Sequence, residues 1–390
     1  MKKYLISFIL FFTLFLLNAQ DLKVQFLKGS LAEKTKVVRE ATVTEGKWIT
    51  QNALKFINEN KNILINDRDF EGFTVATVLS IQNEYVTNLN EDEKNILINQ
   101  LSQFFVDFDY SDTVQISILS KVSTLKDCLS IQPFVNVINE YISDLKNKSS
   151  KTNVINVVLD SLNQIGDNNS FKILYNCLFE KQLSQYYPQI ESVVVNLIPI
   201  SMNEVLQLVY CKNFVHIEKI FTLINKNDKI SQKSLSEIAE NVLNESILLL
   251  ENSTNDNEDA ITKIQMDCVK ILESNNWTKA SKSLINYFGC VKELYNSSKI
   301  SEVDFINVIK ALESIAPLDA IKPLTNYLVE LNSRVEQNQE YSEQIALAVV
   351  NTLGAIGDKA AFDSLLSVTY LTYPESVLAA ARNALAKLKW

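Results

Sequence analysis

The chain of 390 residues contains one histidine, His216, set among Phe214, Val215 and Ile217. A Ser-His-Asp or Cys-His nucleophile system would have to use it, with Cys211 a helical turn and one residue away. A lone histidine in apolar company reads as a packed or surface residue of a helix, so no nucleophilic catalysis is expected. Five cysteines, Cys128, Cys177, Cys211, Cys268 and Cys290, lie far apart with no C-x-x-C pair. Zinc needs several His or Cys ligands at close spacing, and this set does not supply them locally. The odd count leaves at least one thiol unpaired within the chain. Segments such as Leu174-Tyr175-Asn176-Cys177-Leu178 place thiols in apolar helical stripes, so buried free cysteines are expected, with one disulfide between neighbouring helices as the alternative.

Asp67-Arg68-Asp69-Phe70-Glu71-Gly72 copies positions 1, 3, 5 and 6 of a calcium loop, yet position 12 is Val78 where a bidentate glutamate is required. These acids are expected to cap a helix. No glycine loop suited to phosphate exists, because the close glycines Gly354 and Gly357 belong to a junction between two helical stripes. The expectation is therefore a non-enzyme with no catalytic residue, no metal and no cofactor.

The elements that would carry these residues are helices. Only seven Gly and six Pro occur, too few for the turns of an all-β chain. Around Ile356 apolar residues fall at Val349 and Leu353 before it and at Phe362, Leu365 and, weakly, Thr369 after it. The same offsets around Ile165 find Val158, Leu162, Phe171, Leu174 and Leu178. Around Leu125 they find Ile118, Val122, Ile131, Phe134 and Ile138, and around Ile315 they find Val308, Leu312, Ile321, Leu324 and Leu328. Weaker sets centre on Ile200 (Val193, Leu197, Leu206, Val209) and Asn275 (Cys268, Leu272, Leu284, Phe288). Steps of three and four put each set on one helical face, so the chain reads as a series of antiparallel helix pairs.

Each junction has its own chemistry. Asp127, Asp167 and Asp358 stand two residues past their anchors, where a carboxylate would accept the free amides of the second helix. Gly166 and Gly357 precede two of them and are expected in the left-handed conformation that ends a helix. Pro188 and Pro374 follow Tyr187 and Tyr373 at expected helix starts. Tyr186-Tyr187 and Tyr370-Tyr373 fall at turns between pairs, where they would serve a partner or pack the pairs together.

Residues 1–19 carry Lys2-Lys3, an apolar run from Tyr4 to Leu17 and Ala19, the layout of a cleavable signal peptide. The run is shorter than the roughly twenty residues that span a bilayer. A periplasmic or secreted protein with no membrane span in the mature chain follows. Removing the leader takes two lysines from 37 basic residues and none from 46 acidic ones, moving the net charge from −9 to about −11. Such a surface repels phosphate backbones, so nucleic acid is excluded as a partner.

Leu353-Gly354-Ala355-Ile356-Gly357-Asp358 through Leu366, followed by Tyr373-Pro374-Glu375-Ser376-Val377-Leu378-Ala379-Ala380-Ala381-Arg382-Asn383-Ala384-Leu385, resembles the HEAT and HEAT-like repeat family. The resemblance is clearest over 301–390. Pro133 and Pro323 fall where that family carries a proline early in its second helix. The resemblance implies an all-α chain built as an α-solenoid of antiparallel helix pairs, which recognises a protein or peptide and carries out no reaction. The organisation it gives is a helical region over 20–110 of degenerate or capping repeats, repeats over 111–250, a polar loop over 251–259 and repeats over 260–390. In this family type the second helices line the inner face, which points to Lys172, Asn176, Lys282, Asn286, Lys322, Asn326 and Asp363 as partner-binding residues. The expected role is an exported protein-protein interaction scaffold. The alternatives are a self-associating structural envelope protein and an accessory subunit of an exported enzyme.

Overall fold

The computed structural model describes residues 22–41, 43–148, 151–227, 229–251 and 257–389. The leader over 1–19 lies outside them, as does most of the polar stretch: Glu251 closes one helix and Glu258 opens the next. Among the described residues the chain is all helix, with no strand and a single isolated bridge between Asp358 and Lys389. It divides after Ile200 into two compact units.

In the first unit, Leu31–Glu40, Arg68–Ser80, Asp112–Leu125, Thr152–Ile165 and Tyr187–Leu197 form one layer, each helix packed on the next. Val43–Asn60, Glu91–Asp107, Gln132–Ser143 and Asn168–Cys177 form a second layer over it. In the second unit the same alternation is regular from Glu258 onward. Glu258–Ser274, Glu302–Ile315, Glu343–Ile356 and Glu375–Lys387 make one layer, and Ser281–Asn296, Ile321–Glu336 and Phe362–Val368 make the other. Before that point Gln232–Glu251 and Glu258–Ser274, consecutive in the chain, pack directly along each other.

The anchors read from the sequence end helices. Asp112–Leu125, Thr152–Ile165, Glu302–Ile315 and Glu343–Ile356 each contain 14 residues and stop at the expected anchor. Ser111, Ser301 and Ser342 cap three of them, each hydroxyl accepting the amide three residues on. First-layer helices bury more than one stripe, because they are covered by a neighbour on either side and by the second layer: Glu343–Ile356 buries Ile345, Ala346, Ala348, Val349, Val350, Thr352, Leu353 and Gly354. Such near all-round burial leaves only a narrow polar edge.

Three junction expectations need correction. Gly357 is left-handed, at φ 72°, but Gly166 is extended at φ −64° and ψ 157°. A Cβ on Gly166 would lie 2.5 Å from the Leu162 carbonyl oxygen and 3.1 Å from Leu197, so close packing demands glycine there. Asp127 caps nothing: a turn follows Leu125, and the next helix starts at Gln132 behind Ile131, without a side-chain cap. Ile200 is 56% exposed and so is no core anchor.

Candidate functional site

The seven residues expected to bind a partner all emerge on exposed positions of second-layer helices. Lys172 and Asn176 stand on Asn168–Cys177 in the first unit. Lys282 and Asn286 lie on Ser281–Asn296, Lys322 and Asn326 on Ile321–Glu336, and Asp363 on Phe362–Val368 in the second. Their exposure follows from the packing, since each sits between core positions. Lys172 lies beside Phe171 and Asn176 beside Tyr175, both buried, while Lys322 and Asn326 flank Leu324. Helical geometry turns the intervening positions outward. Six of these residues fall in three pairs one turn apart on a helix, Asp363 stands by itself, and within each unit they are not gathered into an enclosed site. Asn176 alone borders a hollow, of about 260 Å³, with Lys146, Cys177 and Glu180.

Other lysines are committed to holding the layers. Lys34 is buried and donates to the Phe26 and Leu27 carbonyls, with Phe26 and Phe56 rings against its ammonium. Burial lowers its pKa, and nearby Glu33 opposes that shift. Lys121 donates to the Ile81 carbonyl at 2.9 Å, and Lys151 reaches back to Asp109, donating to its backbone carbonyl and, at 2.8 Å, to Oδ1. In each case an ammonium from one helix takes up carbonyls left free where an earlier helix ends.

The junction acids are structural. Asp67 Oδ1 accepts from the Asp69 and Phe70 amides at 2.8 and 3.2 Å, as a helix cap would, and Glu71 accepts from Ser111 Oγ at 2.7 Å. Asp358 Oδ1 accepts from the Ala360 amide at 2.8 Å. Asp167 does more. Its Oδ1 accepts from the Ser170 amide at 2.9 Å and from Asn139 Nδ2 at 3.1 Å, while Oδ2 accepts from Gln132 Nε2 at 2.8 Å. Ser170 Oγ donates to Asn139 Oδ1 at 2.7 Å. Burial by itself would raise the Asp167 pKa, but the hydrogen bonds from Ser170, Gln132 and Asn139 outweigh it and hold the carboxyl below its ordinary value. A carboxyl depressed in the folded state contributes stability above its unfolded pKa, near 3.9, and loses it as pH falls through the lower folded value. Asp167→Ala is therefore expected to cost about 0.5–2 kcal/mol at pH 7, with the gap from the parent narrowing below about pH 4. Urea titrations of both proteins at pH 7 and pH 3 measure this; an equal gap at the two values would show that the charged carboxylate is not the cap.

Of the two roles open to the turn tyrosines, Tyr186 and Tyr373 take the packing one. Tyr186 is buried, with its hydroxyl 3.3 Å from Thr152 Oγ1. Tyr373 is buried and donates to Asn332 Oδ1 at 3.0 Å, and burial raises its pKa well above that of a free phenol. Tyr187 is half-buried and Tyr370 is 80% exposed. Sequence reasoning missed Asn332 and Asn139, buried amides that tie one helix pair to the next; Asn332 also donates to the Ser364 carbonyl at 3.2 Å. Their signal is a lone amide inside an otherwise apolar stripe.

His216 is half-buried on Phe214–Ile224. All five cysteines are free thiols. Cys177 and Cys268 are buried, which raises both pKa values, Cys177 to about 11. Cys211 is exposed and donates to the Leu208 carbonyl. Among the described residues no three His, Cys, Asp or Glu side chains gather to hold a metal ion, and no single helix is long and apolar enough to cross a membrane. No family model and no curated protein matches this chain.

Proposed function

We propose that the protein is an exported, non-catalytic interaction scaffold, periplasmic or secreted, built as an α-solenoid of HEAT-like repeats. The observation that carries this reading is the set of four 14-residue helices ending at the spaced anchors. Each is followed by a helix of the other layer that keeps a polar row exposed. Stacked pairs of this kind give an extended surface on which many modest contacts add up. Lys172 and Asn176 in the first unit, and Lys282, Asn286, Lys322, Asn326 and Asp363 in the second, offer mainly ammonium and amide groups, which suit an acidic segment or the backbone of a peptide. Partner capture from the organism's own envelope fraction tests it. Lys172→Glu, Lys282→Glu and Lys322→Glu, combined, are expected to reduce capture several-fold while leaving the melting temperature within a few degrees. Undiminished capture by the folded triple variant would remove these outward residues as the docking positions.

A second reading has an observation of its own. In the second unit a groove of about 690 Å³ crosses the first layer, lined by Lys310, Glu313, Asn351 and Lys387. Capture that survives the triple substitution but fails on Lys310→Glu with Lys387→Glu would place the partner there.

A further inference from the structure

Four helices of the first unit meet around a cavity of about 490 Å³, a size at which folds hold small molecules. One side is apolar. Val38 and Ala76 form its buried part, and Val75 and Leu79 stand beside them on Arg68–Ser80. Leu79 borders the cavity and is 51% exposed although it belongs to a helix with six buried residues. Two basic residues line it as well. Arg39 ends Leu31–Glu40, and Lys47 lies one turn into Val43–Asn60, so two cations from separate helices reach one space. Neither makes an ion pair among the described residues, whereas Lys36 and Lys55 on the same helices have Glu40 and Glu59 at 3.9 and 3.8 Å.

The remaining groups set orientation. The N-terminal end of Val43–Asn60 adds positive dipole near Lys47, and the C-terminal ends of Leu31–Glu40 and Arg68–Ser80 oppose it. Among the described residues the charged members of the lining are Arg39, Lys47 and Glu84, two cations to one acid on a chain that is acidic overall. Tyr85 also borders it. Burial, aided by the charge of Glu93 and opposed by a hydrogen bond with Gln51, pushes its phenol up to about 12. It therefore remains protonated at neutral pH and available as a donor. Gly46, in the first turn of an 18-residue helix, lines the same space. A Cβ built on it meets nothing within 4 Å. Packing does not require glycine there, and glycine inside a helix is unfavourable. A larger side chain at this lining position would have open space to occupy.

We propose that this cavity binds a small amphipathic carboxylate, with its apolar body against Val38, Val75, Ala76 and Leu79 and its carboxylate between Arg39 and Lys47. The site is independent of the scaffold reading and of any partner on the outer rows. Calorimetric titration of the intact protein with sodium octanoate and, separately, with octylammonium chloride tests it. Octanoate is expected to bind and octylammonium to give no heat. Arg39→Gln with Lys47→Gln is expected to weaken octanoate at least about tenfold, as loss of charge-assisted hydrogen bonds does. Gly46→Leu is expected to abolish binding while the melting temperature stays level or rises, which separates a filled cavity from a damaged fold. Octylammonium binding as tightly as octanoate, octanoate affinity unchanged in the double variant, octanoate binding that survives in the folded Gly46→Leu protein, or no octanoate heat at millimolar concentration would each overturn the proposal.

Discussion

Phe305→Ala is expected to lower the unfolding free energy by about 3–5 kcal/mol, the range for removing a fully enclosed aromatic ring. Phe305 is 0% exposed. Its ring centroid lies 5.2 Å from that of Tyr295, 5.7 Å from Tyr327 and 5.9 Å from Phe288. These residues belong to Ser281–Asn296 and Ile321–Glu336, so one side chain of Glu302–Ile315 holds two second-layer helices against the first layer. Truncation removes apolar burial and leaves a hole that three large rings cannot close by small shifts. Phe305→Leu should cost less than half as much, because it keeps most of the volume. Urea unfolding followed by far-ultraviolet circular dichroism measures both, and a loss under about 1 kcal/mol for the alanine variant would mean that the aromatic cluster does not join the layers.

Gly354→Val should destabilise by about 3 kcal/mol, the upper part of the overpacking range. The opposite sign follows from local propensity, since glycine within a helix costs up to about 1 kcal/mol against alanine. Tertiary contact decides the matter. A Cβ on Gly354 would stand 2.6 Å from Ala384 Cβ and 2.8 Å from Ala384 Cα, and the second of these is backbone of Glu375–Lys387 that cannot turn aside. Gly354→Ala is expected to show a smaller loss, partly restored when combined with Ala384→Gly. A double-mutant cycle on melting curves gives the coupling. If Gly354→Val raises the melting temperature, the two helices do not approach this closely.

Much of this pair was legible in sequence. The close glycines, the Gly-Asp junction and the apolar offsets around Ile356 placed a helix end at Ile356, a left-handed Gly357 and a capping Asp358, and these are found. The same logic placed Asp167 at a cap, but not the second task of that residue: its bond to Asn139 spans 28 positions of sequence, and offsets of three and four within a stripe carry no information about such a contact. Gly166 and Asp127 show the limit from the other side. Both have the expected residue type at the expected offset, yet a clash with the Leu162 carbonyl oxygen, tightened by Leu197, and not a left-handed backbone, sets the need for glycine at one, and a longer turn after Leu125 carries the other away from the helix start.

For the outer surface, sequence was sufficient to say which residues face out. Lys172, Lys282 and Lys322 alternate with core positions, and helical periodicity alone fixes that. For the tyrosines it left two roles open, and contacts from 34 and 41 positions earlier in the chain decide for packing at Tyr186 and Tyr373.

The sequence by itself determined that the described chain is helical, where its principal helices end, and which faces are apolar, because those properties depend on neighbours within a few residues. Tertiary structure alone decided that the helices sort into two layers in each of two units and that Asn139 and Asn332 tie successive pairs. It also decided that Arg39, Lys47, Leu79 and Tyr85 border one cavity. Each of these depends on residues far apart in the chain arriving at one place, and their distances are set by the volumes of the side chains packed between them.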